Sequence, residues 1–132
     1  MIKLEYFAEG SQDCPLILIY GSDTVGALNL SLAIETAAAG LTNHIDVHTI
    51  PGYHSVNDCQ LHLQISKREA QGVQMKQENY FVWELSAEEC YDVIGLLEPF
   101  SNRNAGNTHE HRHQFLTQNG EITIIFSTNR QW

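Results

Sequence analysis

Five consecutive apolar residues, Leu16-Ile17-Leu18-Ile19-Tyr20, constrain this fold more than any other stretch of the chain. The run is too short for a helix and has no polar side, so it predicts a central strand covered on both faces and hence a layered domain. Pro15 marks its extended start. Directly after it, Gly21-Ser22-Asp23 provides a break and an N-cap. Val25, Leu28, Leu32, Thr36 and Ala39 then recur at helical spacing up to Gly40, a natural C-terminal stop. Glu35 is the one charge between Thr24 and Gly40, which predicts a helix buried over most of its surface, under a sheet or in a subunit contact.

The remaining elements follow from period and punctuation. Ile2, Leu4, Tyr6 and Ala8 alternate with Lys3, Glu5 and Glu9, the pattern of a half-buried strand with the charged residues outside. Ile45, Val47 and Thr49 alternate with His44, Asp46 and His48 before Pro51-Gly52 breaks the run. Cys59, Leu61, Leu63 and Ile65 define a further strand, and Val73 to Leu85 its partner, with a bulge or break at Gln77-Glu78-Asn79. Ser86 with Glu89 forms a capping box that opens a second helix, whose apolar stripe is Cys90, Val93, Ile94, Leu97 and Phe100. His109 to Leu116 and Glu121 to Ser127, joined through Asn119-Gly120, predict a closing hairpin.

This order, β-(βαββ)-(βαββ), reads as one unit used twice at a spacing of about 65 residues, with half-repeats at 15–66 and 80–128 of a single domain spanning 1–132. The expected architecture is an α+β two-layer sandwich: a mainly antiparallel sheet of about seven strands with two helices on one face.

Charge narrows the function classes. Seven Lys and Arg against sixteen Asp and Glu leave a formal charge of −9, which excludes a phosphate-backbone binder as a leading reading. No apolar run reaches the roughly 18 residues of a bilayer span, and the opening residues lack the apolar core of a secretory signal, so a cytoplasmic protein is expected. Cys14, Cys59 and Cys90 are odd in number and far apart, as reduced structural thiols are. Gly21-Ser22-Asp23-Thr24 lacks the Lys of a phosphate loop, and Asp23 would repel an anion there. No strained Gly-x-Ser-x-Gly turn is present, and no catalytic residue is assigned.

Two groups of side chains stand out. Between Gln77 and Asn102 there are six acids and no Lys or Arg. Glu88, Glu89 and Asp92 on the second helix, with Tyr91 as an aromatic anchor, form a candidate face for a basic partner. The second group is His109, His111 and His113, of which an adjacent pair, His109 and His111, spans a distance suited to one metal ion such as zinc. His44, Asp46 or His48, or else His62, are the candidate further ligands, and His44-x-Asp46-x-His48 also has the makings of a carboxylate-oriented base. Alternation on a solvated strand explains the same histidines without any function.

In size and charge the chain resembles toxin-neutralising immunity proteins, which implies a non-catalytic, inhibitor-like module binding a basic protein. Its paired strand-helix units with a His-lined sheet resemble the vicinal oxygen chelate enzymes, from which the number of strands between the helices departs by one. That resemblance implies a divalent metal. A third expectation is a homodimer formed through the apolar first helix or a free sheet edge.

Overall fold

The computed structural model describes residues 1–101 and 111–132. The chain is α+β, with two helices and two mixed sheets of five and four strands. In order, the elements are β1 (Ile2–Phe7), β2 (Leu16–Tyr20), α1 (Thr24–Ala38), β3 (His44–Asp46), a 3-10 turn at Val47–Thr49 and β4 (Tyr53–Ser55). These are followed by β5 (Gln60–Ile65), β6 (Gly72–Gln77), β7 (Tyr80–Leu85), α2 (Ala87–Ser101), β8 (His113–Thr117) and β9 (Thr123–Ser127). The five-stranded sheet runs β4-β1-β2-β9-β8 and the four-stranded sheet β3-β5-β7-β6.

The expected single antiparallel sheet of about seven strands is therefore corrected. Each sheet joins an antiparallel pair from one half of the chain, β1–β2 or β6–β7, to an antiparallel pair from the other half, β8–β9 or β3–β5. The seams are parallel contacts, β2 with β9 and β5 with β7. Parallel seams between distant segments leave no local trace in a sequence, whereas hairpins do. Two strands lie beyond the expected seven. The stretch 73–85 is two strands, β6 and β7, turned back at Glu78-Asn79 with Asn79 in the left-handed region at φ 59°, and β4 pairs in parallel with β1 at the sheet edge.

The helices begin where the sequence predicts. Asp23 accepts from the Gly26 N–H at 2.9 Å, and Ser86 and Glu89 exchange reciprocal bonds of 3.1 and 3.0 Å with each other's backbone N–H. The helices pack against each other and against strands of both sheets. Counted from its N-cap, each helix buries the same positions: Ala27, Leu30 and Ile34 in α1, Cys90, Val93 and Leu97 in α2. These residues share one core with Ile2, Leu4, Ile17 and Ile19 of the larger sheet and Leu61, Leu63, Phe81 and Trp83 of the smaller. Near that core Gly72, at φ +70°, lies so close to the β8–β9 turn that a Cβ would collide with the Asn119 carbonyl.

The second cover of β2 is the carboxy-terminal segment. Leu16, Leu18 and Tyr20 face away from the main core into a smaller cluster with Ile125, Phe7, Phe115 and Trp132. Trp132 packs on Phe7 at 5.0 Å between ring centroids, and the Arg130 guanidinium lies 5.1 Å from the same ring. Glu5, expected outside, is buried beneath this segment. It accepts from Arg130 Nε at 3.1 Å, Arg130 Nη2 at 2.9 Å and the Tyr20 hydroxyl at 2.9 Å.

Two predictions arise from these contacts. The Arg130 hydrogen bonds hold the Glu5 carboxyl below its ordinary value of 4.5, outweighing the opposing effect of burial. A pKa lower in the folded than in the unfolded chain contributes stability that is full above about pH 4.5 and is lost as the pH falls through the folded value. Wild type should thus exceed Glu5→Gln in stability at neutral pH, and the two should converge in acid, as read by urea unfolding at a series of pH values. Separately, the buried Ser31 hydroxyl of α1 has no hydrogen-bond partner among the described residues. Ser31→Ala should raise stability by about 0.5–1.5 kcal/mol, by removing an unpaired polar group and improving helix propensity. Thermal unfolding checks this.

Candidate functional site

The outward faces of α1 and α2 carry the most unusual surface. Val25, Leu28 and Leu32 lie one helical turn apart and are 46%, 42% and 51% exposed, so the stripe expected to be buried in α1 faces solvent. The buried stripe is Gly26, Ala27, Leu30, Ser31, Ile34 and Ala37. The helix is apolar on both sides, so periodicity alone selects neither, and the small residues Gly26, Ala27 and Ala37 allow close approach of its neighbours. Gly26 sits against Ile2 so tightly that a Cβ would meet the Ile2 side chain. The Gly26 carbonyl accepts from the buried Tyr53 hydroxyl at 2.8 Å.

On α2 the same outward positions hold Glu88, Tyr91, Gly95 and Glu98, with Asp92 beside them, all exposed. Tyr91 is 53% exposed. Three of the four residues expected to meet a partner therefore point outward. Glu89 is half-buried, and its carboxylate turns back to accept from the Ser86 N–H as the helix cap. Among the described residues, none of Glu88, Asp92 or Glu98 is paired with a cation, so their charge is presented to solvent.

The histidines separate into two groups. On the smaller sheet, Asp46 and His62 are cross-strand neighbours, and His62 Nδ1 meets Asp46 Oδ1 at 2.6 Å. The His62 ring stacks on Tyr80 at 4.4 Å and meets His48 edge-on at 4.9 Å. The 3-10 turn at Val47–Thr49 breaks the expected His44-x-Asp46-x-His48 alternation, because His48 Nδ1 accepts the Leu61 N–H at 3.1 Å. Burial pushes the His48 pKa down, so this imidazole stays neutral and serves as a backbone hydrogen-bond partner. His44 is exposed and contacts Asn43. Asp46 and His48 are thus committed to the smaller sheet's own packing.

The second group lies at the start of β8. His111 Nε2 and His113 Nδ1 are 2.9 Å apart, and His111 Nδ1 is 2.9 Å from Asn129 Oδ1. The pair opens onto a groove of about 510 Å³ lined also by Gly10, Ser11, Gln131 and Trp132. His109 lies outside the described residues, and strand β8 begins at His113, four residues later than expected. Among the described residues no three His, Cys, Asp or Glu side chains converge as a metal-binding group, so His44, Asp46 and His48 do not complete a site with His111. Cys59 and Cys90 are free and buried, and burial pushes their thiols up to about 12 and about 11. Such thiols are poor nucleophiles at neutral pH.

These features define an α+β chain of two mixed sheets and a packed helix pair, with outward residues of both helices exposed. The chain matches no family model, no curated protein and no solved structure. No helix among the described residues is long and apolar enough to cross a membrane. The signal that sequence reading missed is the outer row of α1, and a comparison of the two helices position by position from their caps would have exposed it.

Proposed function

We propose that this protein is a non-catalytic binding module that captures a basic protein, in the manner of an inhibitor or immunity protein. It does so through the outer faces of the packed helices α1 and α2. The observation that carries this reading is the solvent-facing row Val25, Leu28 and Leu32 on α1, a helix packed against α2, whose exposed acids Glu88, Asp92 and Glu98 pair with no cation among the described residues. An apolar centre flanked by charge and an exposed tyrosine has the anatomy of a protein interface, where desolvated apolar anchors supply affinity and a charged border steers approach. The net charge of −9 selects the occupant: a second copy brings the same charge and is repelled, whereas a basic partner is attracted. In this reading the halves 15–66 and 80–128 are one unit used twice within a single domain, its outer row apolar in the first copy and acidic in the second. The three free thiols accord with a cytoplasmic setting.

Affinity capture from extract in low salt, comparing wild type with Leu28→Asp/Leu32→Asp, tests the proposal. A protein of net positive charge should be retained by wild type and lost by the variant, then bind wild type directly when both are pure. An identical set of captured proteins for both chains would overturn it. So would sedimentation showing wild type as a dimer and the variant as a monomer, since the row would then be covered by a second copy.

A further inference from the structure

We propose that His111 and His113 form a two-imidazole chelate for a divalent transition ion of the Cu(II) or Ni(II) type. This lies apart from the helix faces, on the side of the larger sheet crossed by the carboxy-terminal segment. His111 Nε2 and His113 Nδ1 stand 2.9 Å apart. An ion bound at the usual distance of about 2.0–2.1 Å from both nitrogens would subtend an angle of about 90° between them. That is the cis angle of a square-planar or octahedral ion. A tetrahedral ion such as Zn(II) requires the nitrogens about 3.3–3.4 Å apart.

The surroundings fit a ligand pair. Asn129 Oδ1, 2.9 Å from His111 Nδ1, accepts that nitrogen's hydrogen and leaves the Nε2 lone pair aimed at His113. Without metal, the His113 Nδ1 hydrogen occupies the space between the rings. When an ion binds, His113 takes the Nε2–H tautomer, and its Nδ1 lone pair turns to the metal with no net loss of a proton. The adjoining groove of about 510 Å³ leaves room for water or a further ligand to fill the remaining coordination positions. Both histidines are exposed, so their replacement leaves the core untouched.

The test uses the tag-free chain and Cu(II) or Zn(II) chloride alone. Trp132 lines the same groove while Trp83 is fully buried in the main core. Bound Cu(II) should quench the Trp132 emission and saturate at one equivalent, with two nitrogen donors visible by electron paramagnetic resonance. His111→Ala and His113→Ala should each weaken binding at least tenfold, and Asn129→Ala roughly tenfold through loss of orientation. His44→Ala should leave binding unchanged, and Trp132→Phe should abolish the quench while calorimetry still shows binding. Undiminished stoichiometric binding in the His111→Ala/His113→Ala variant would overturn the site. Zn(II) binding as tight as Cu(II) would overturn the assigned geometry.

Discussion

Truncating Trp83 to alanine is expected to destabilise the domain by about 3–5 kcal/mol, a large share of the 5–15 kcal/mol that holds such domains folded. Trp83 is fully buried on β7, in the middle of the smaller sheet, and its Nε1–H donates to Thr117 Oγ1 on β8 of the larger sheet at 2.9 Å. One side chain thus fills the core and ties the two sheets together. Its removal leaves a cavity and an unpaired buried hydroxyl at Thr117. Trp83→Phe keeps most of the volume but forfeits the hydrogen bond, so a smaller loss of about 1–2 kcal/mol is expected. Adding Thr117→Val to that variant should recover part of it, because the orphaned hydroxyl goes too. Urea unfolding of the four chains measures these differences. A cost below about 1 kcal/mol for Trp83→Ala would show that the two sheets do not share the core described above.

The second large effect concerns the helix faces. Leu28→Asp/Leu32→Asp should weaken capture of the proposed basic partner at least a hundredfold, because each change places an unpaired carboxylate in what would become the dry centre of the interface. Both positions are about half exposed in the free chain, so circular dichroism should show little change in helix content. Neutralising Glu88, Asp92 and Glu98 to their amides should act differently. The association rate should fall several-fold in low salt, with little change in dissociation, and the difference from wild type should shrink as salt screens the field. Stopped-flow or surface-based kinetics at two ionic strengths separates the two contributions. An unchanged association rate would remove these acids from the binding face.

Much of the local structure was legible because its causes are local. The Asp23 cap, the Ser86 and Glu89 box and the hairpin around Asn119-Gly120 each depend on residues within one turn of each other. Leu16–Tyr20 declared a strand covered twice, and it is buried at every position. The candidate site was legible only in part. Glu88, Tyr91 and Asp92 stood out as an acidic helix face with an aromatic member, and the histidines stood out by their spacing. That Glu89 serves as a cap follows from the same capping box that located the helix.

What the sequence by itself determined is the two helices with their N-terminal caps, most of the strands and the sign of the net charge, since propensity, capping and net charge act over a few residues or over the whole chain. Only the tertiary structure decided which apolar stripe of α1 is buried, that Glu5 lies beneath Arg130, that Asp46 belongs to His62, and that two sheets replace one. Each of these depends on which distant segments meet. A helix apolar on two sides, or a strand able to pair on either edge, has its orientation set by the partner that covers it, and that partner lies tens of residues away along the chain.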